Sequence, residues 1–136
     1  MIGFNCRKIN RRGTEAMKQI NSITEIDALK KENDMLLVYF GSNICSVCCD
    51  LLPKIDQMLG NYPDISAVKV DIQKSPALSA SFNIFTAPAV ILFIQEKETL
   101  REAGIMSLSR LEEQISRYVE LFLKATDSTD LKEEIS

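Results

Sequence analysis

Apolar residues along this chain fall into runs of two kinds. Met35-Leu36-Leu37-Val38-Tyr39-Phe40 is continuous and of strand length, the pattern of a strand buried on both faces. Beyond it, Cys48, Leu51, Leu52, Ile55, Met58 and Leu59 recur at helical spacing, so the period changes from strand to helix within a few residues. The spacing predicts a helix from Cys45 to about Leu59, bent where Pro53 removes a backbone hydrogen bond and closed by Gly60-Asn61. Ala67-Val68-Lys69-Val70-Asp71, within residues 65–72, reads as a second buried strand, and Ala89 to Ile94 as a third. Proline cannot join a central ladder, so Pro88 must stand at the mouth of that third strand.

The weaker signals complete the order. Gln19 to Ile23 reads as a short first strand, followed by a helix through Leu29, Lys30 and Lys31 that Ser22 or Thr24 caps and Asn33-Asp34 ends. Pro76 suits the first position of a short helix over Ala77 to Phe82. Glu96-Lys97-Glu98 reads as a polar turn and Thr99 to Glu102 as an edge strand. Leu108, Leu111, Ile115, Val119 and Phe122 mark a closing amphipathic helix, capped by Ser107 or Ser109, with Glu112 able to complete a capping box with Ser109. This is an α/β pattern ending in a hairpin.

Residues 1–16 follow neither period and read as a mobile extension that includes Cys6, with Met17 an alternative start; the residues from Lys124 onward read as a frayed polar tail. A chain of 136 residues makes one domain, and a net charge of −3 argues against a nucleic-acid surface. There is no histidine, which removes Cys-His catalysis, His-ligated metals and His proton shuttling together. Met1 to Gly13 carries no apolar signal-peptide core, and the longest apolar run, Ala87 to Ile94, is too short to span a bilayer. A soluble cytoplasmic protein is expected, and in a reducing compartment a C-x-x-C pair is catalytic or metal-binding more often than a structural staple.

That pair is Cys45-Ser46-Val47-Cys48, at the strand-to-helix seam. The unpaired N–H groups and positive dipole end of a helix stabilise an anion, so a thiolate at Cys45 is favoured and its pKa falls below the usual value of about 8.5. The thiol at i+3 can then accept or displace a disulfide. A plainer alternative makes both cysteines small apolar core residues. Cys49 stands at i+4 from Cys45, so by spacing it too can approach the first thiol. Cys45, Cys48 and Cys49 together also suggest a metal- or cluster-binding or redox-sensing module, one thiolate short of the usual four.

Several features together resemble the thioredoxin family over about residues 17–123. They are the apolar strand before the C-x-x-C, Pro53 five residues after Cys48, Lys69-Val70-Asp71-Ile72, Thr86-Ala87-Pro88, the strand pair beyond it, Gly104 and the closing amphipathic helix. The resemblance implies the thioredoxin fold, an α/β domain with a central mixed β-sheet flanked by helices. It implies thiol–disulfide exchange with Cys45 as attacking and Cys48 as resolving thiol, Pro88 in the cis form beside them, and substrate contacts at Ala87, Pro88 and Ile44. No metal and no cofactor beyond the Cys45–Cys48 disulfide is implied. Disulfide-bearing protein substrates, a thiol reductase as electron donor, a monomer, and neither nucleic acid nor membrane as partner go with it.

The chain also departs from the family's best-known members. The tryptophan-glycine-proline surroundings are replaced by Gly41-Ser42-Asn43-Ile44 before the pair and Ser46-Val47 within it. Tyr39 stands where thioredoxins usually place a buried aspartate, and a phenol is a poor general base at neutral pH. Lys69 is the family-matched charge on the adjacent strand, and Tyr39, Lys69 and Cys49 are expected to modulate the site. A thioredoxin-like interaction domain whose cysteines rarely turn over is a further alternative.

Overall fold

A computed structural model of the chain describes residues 17–42 and 44–127. Its centre is β2 (Met35–Gly41), in which all 7 residues are buried. Residues of β2 alternate between two hydrophobic clusters. Met35, Leu37 and Tyr39 face one, and Leu36, Val38 and Phe40 the other. A strand covered on both faces needs apolar side chains at every position, which is why its sequence shows no alternation.

The remaining elements are β1 (Lys18–Gln19), α1 (Ile23–Glu32), α2 (Ser46–Leu59), β3 (Ile65–Asp71), α3 (Pro76–Ser81), β4 (Ala89–Ile94), β5 (Lys97–Ala103) and α4 (Leu108–Asp127). The sheet order is β1-β3-β2-β4-β5. β1, β3 and β2 run parallel, while β4 is antiparallel to β2 and β5 to β4, so the sheet is mixed as expected. Cys48, Leu52 and Ile55 of α2 and Leu111, Ile115 and Val119 of α4 cover the face of Leu37 and Tyr39. Ile26 of α1 and Leu78 of α3 cover the opposite face, where Phe82 stacks edge-on between Phe40 and Phe93 at 6.0 Å from each. Each large apolar side chain buried in this way contributes roughly 1.5–3 kcal/mol relative to exposure.

Caps set several boundaries. Ser22 accepts the Glu25 N–H at 3.2 Å and starts α1, while Asn33 ends it, donating to the Leu29 carbonyl through its backbone N–H at 3.0 Å and its side chain at 2.9 Å. Pro76 opens α3 at its first position. Of the two serines before α4, Ser107 is the cap, accepting the Arg110 N–H at 3.3 Å, which displaces the expected Ser109–Glu112 box. α2 runs helically through Pro53, and Gly60 closes it in the right-handed region at φ −59°.

Some boundaries differ from the sequence reading. The first strand is Lys18–Gln19, not Gln19 to Ile23, because Ser22 caps a helix that already includes Ile23. β5 begins at Lys97, since Gln95 and Glu96 alone make the turn at φ 53° and 69°, with Ile94 paired to Lys97. The register slips between Leu92 and Phe93, whose partners are Leu100 and Glu98, so Thr99 is an extra residue in the strand. α4 continues to Asp127, past the Lys124 at which a frayed tail was expected. Cys6 and the rest of residues 1–16 lie outside the described residues, as does Asn43.

Candidate active site

The end of β2 delivers the chain to the site. Phe40 pairs with Ala89 at the start of β4, and Gly41 with Asp71 at the end of β3. The segment after β2 and the segment before β4 therefore emerge side by side at one end of the sheet. The first carries Ile44, Cys45 and Cys48; the second carries Phe85, Thr86, Ala87 and Pro88.

Cys45 is the N-cap of α2 at φ −93°, ψ 103°, one residue outside the helix rather than in its first turn. Its sulfur accepts the Cys48 N–H at 3.1 Å, the bond that a serine or aspartate oxygen makes at an ordinary N-cap. Cys45 and Cys48 are joined in a disulfide with their Cα atoms 5.2 Å apart. The two differ in access, Cys45 being half-buried and Cys48 fully buried. Cys49 is half-buried, its N–H bonded to the Cys45 carbonyl at 3.1 Å and its sulfur 4.0 Å from the Ser42 carbonyl oxygen.

The Ala87–Pro88 peptide bond is cis. Pro88 is buried, and Ala87 packs with Cys45 and Cys49 against the same hydrophobic cluster. The Pro88 carbonyl accepts the Gly104 N–H at 2.8 Å, which draws the loop after β5 to the same end of the sheet. Gly104 has φ 82°, a conformation that a side chain would strain. It turns Ile105 outward to 96% exposure.

Ile105 belongs to a group that the sequence reading passed over. Ile44, Val47, Phe85 and Ile105 are all large, apolar and exposed, and all come from the segments that meet around Cys45 and Pro88. Of the four, the resemblance implies a substrate contact for Ile44 alone. Apolar side chains count as core by composition alone, and only their position beside the cysteines, in loops for Ile44, Phe85 and Ile105 and in the first turn of α2 for Val47, distinguishes them.

Behind the cysteines, Tyr39 and Lys69 stand directly opposite each other on β2 and β3, both buried. The Tyr39 hydroxyl donates to the Cys48 carbonyl at 2.8 Å. Burial pushes its phenol far above the ordinary range, so it stays protonated. Among the described residues no three His, Cys, Asp or Glu side chains are grouped to hold a metal ion, and the Cys45-Cys48-Cys49 ligand set raised as an alternative is not assembled while the first two share a disulfide. No helix among those residues is long and apolar enough to cross a membrane.

The thioredoxin family model matches residues 17–117. The chain belongs to the thioredoxin family. A thioredoxin-like protein of Bacillus subtilis, YdfQ, is 27% identical over 106 residues, covering 78% of this chain and 95% of its own. A thioredoxin of Mycoplasmoides gallisepticum is 30% identical over 97 residues, covering 71% and 97%. Mitochondrial thioredoxin 3 of Saccharomyces cerevisiae, in its oxidised form, superposes with a TM-score of 0.69 at 25% identity over 74% of this chain and 94% of its own. With its C-x-x-C pair at disulfide distance on this fold, the protein is a thiol–disulfide oxidoreductase.

Proposed function

We propose that the protein reduces disulfides in other proteins of the cytoplasm, acting as a monomer, with Cys45 as nucleophile and Cys48 as resolving thiol. The observation that carries this reading is the asymmetry of the pair: Cys45 is half-buried at the helix N-cap, while Cys48 is wholly buried behind it. The reduced Cys45 sulfur inherits the Cys48 N–H and the positive end of α2, which favour the thiolate.

The thiolate attacks one sulfur of the substrate disulfide, forming a Cys45–substrate bond and expelling the other substrate sulfur as a thiolate that takes up a proton. Cys48 then loses its proton and attacks the Cys45 sulfur. The Cys45–Cys48 disulfide forms and the second substrate thiol leaves, so two electrons pass from the pair to the substrate. A dithiol reductase returns them. The Ala87 backbone beside Pro88 pairs with the substrate segment, and Ile44 covers its apolar flank.

Reduction of insulin disulfides with dithiothreitol as the electron source tests the reading. Turnover that vanishes in Cys45→Ser supports it; turnover no faster than dithiothreitol alone in the native protein overturns it.

A further inference from the structure

Tyr39 reaches from the central strand to the backbone of the resolving cysteine. Its ring is buried without exposed surface, and its hydroxyl lies 2.8 Å from the Cys48 carbonyl oxygen. On the other side of the same residue, the Cys48 N–H meets the Cys45 sulfur at 3.1 Å. Cys48 is thus held at both its peptide groups, once by the strand behind it and once by its redox partner.

The turn that receives this bond is weakened by sequence. Pro53 sits inside α2 and brings no N–H to the helix, and its ring crowds the preceding turn. A helix start that lacks one of its own bonds and carries a reacting sulfur has reason to shift when the Cys45–Cys48 bond is cut. The tether from β2 opposes that shift with a rigid side chain of two torsions rooted in a fully buried strand.

We propose that Tyr39 is a positioning residue for the resolving step, its hydroxyl pinning the Cys48 carbonyl so that the Cys48 sulfur stays within reach of Cys45 in a turn loosened by Pro53. The proposal rests on the assignment of Cys45 as nucleophile and Cys48 as resolving thiol. Tyr39 does no proton transfer here: burial keeps the phenol protonated, and the proton is engaged with the carbonyl. Its contribution is geometric, in the sense that a reacting atom held near its target reacts faster than one that must be brought there.

The test separates the two chemical steps by rapid mixing of reduced protein with a disulfide substrate. In Tyr39→Phe, attack by Cys45 should proceed at near the native rate while release from the mixed disulfide slows about tenfold. Restoring the helix bond in Tyr39→Phe/Pro53→Ala should recover most of the lost rate, a rescue that simple loss of packing would not show. Release at the native rate in Tyr39→Phe, or slowing that Pro53→Ala leaves untouched, overturns the proposal. If Tyr39→Phe does not fold, the native protein still decides it: the Tyr39 hydroxyl proton should be a slowly exchanging NMR resonance close to the Cys49 amide, and rapid exchange with water overturns the proposal. Loss of attack by native Cys45 would instead overturn the underlying assignment of roles.

Discussion

The backbone N–H of Cys48 points at the Cys45 sulfur from 3.1 Å, so Cys45 caps the helix in whose first turn its disulfide partner stands. Serine caps at least as well as a thiol, but its hydroxyl does not exchange with disulfides. Cys45→Ser should therefore unfold within about 0.5 kcal/mol of the reduced native protein yet have no exchange activity. Cys48→Ser should keep attack and accumulate mixed disulfides. Urea unfolding and mass spectrometry of trapped adducts check both; activity in Cys45→Ser with none in Cys48→Ser would reverse the roles.

Ile44 and Ile105 present exposed apolar surface on the segments that meet around Cys45 and Pro88. Ile44→Asp should lower kcat/KM for a protein disulfide by roughly fivefold to thirtyfold, the equivalent of burying about 1–2 kcal/mol of side chain against substrate. Reduction of a small aromatic disulfide, which touches little of the rim, should change much less. Equal losses on both substrates would place Ile44 in the chemistry of Cys45 rather than in recognition.

The β4–β5 turn carries two non-glycine residues at positive φ, Gln95 at 53° and Glu96 at 69°. Gln95 has a reason to stay, since its N–H donates to the Asp34 carbonyl at 2.8 Å and its side chain to the Asp34 carboxylate at 3.2 Å. Glu96 is exposed, and a glycine suits the second position of a two-residue turn of this hand. Glu96→Gly should stabilise the protein by roughly 0.5–1 kcal/mol in chemical denaturation, the strain relieved exceeding the added freedom of the unfolded chain. A loss of stability would show that the left-handed turn costs little here.

Glu98 and Arg101 form a two-pronged pair at 2.8 Å on β5, and hydrogen bonding to the guanidinium holds the Glu98 carboxyl below its ordinary value of 4.5. A carboxyl depressed in the folded state adds stability above its unfolded pKa and loses it as pH falls through the folded one. With the Arg101 and Glu98 side chains 32% and 41% exposed, the contribution should be only a few tenths of a kcal/mol. Glu98→Gln should be slightly less stable than native at pH 7 and equal to it near pH 3, by urea unfolding at both.

Much of this was legible in the chain, for identifiable reasons. The run from Met35 to Phe40 announced a doubly covered strand, and the change of period at Cys45 announced the site, because burial on both faces and helix periodicity each leave a direct trace in sequence. The edges left little. β1 is only Lys18–Gln19, held by register with Val68 and Lys69 of β3, partners that no local pattern encodes. The extra residue Thr99 brings Glu98 and Arg101 to the same side of β5, although they stand three apart in a strand, so their charge pair contradicts simple alternation. The Tyr39 hydroxyl bond was hidden for a different reason: an apolar strand predicts burial of the ring and says nothing of what its oxygen meets.

Both long edges of β2 are paired, with β3 along one and β4 along the other, and both its faces are covered. Amides in such a strand exchange their hydrogens with solvent only when the whole domain opens, whereas the two-residue β1 at the sheet's margin can peel away in local excursions. The cysteine pair follows β2 by a few residues and is tied back to it through Tyr39. Fluctuations that loosen the margins of the protein thus leave the redox pair attached to the part that lets go last, and its spacing through a catalytic cycle is set by the most persistent structure the chain possesses.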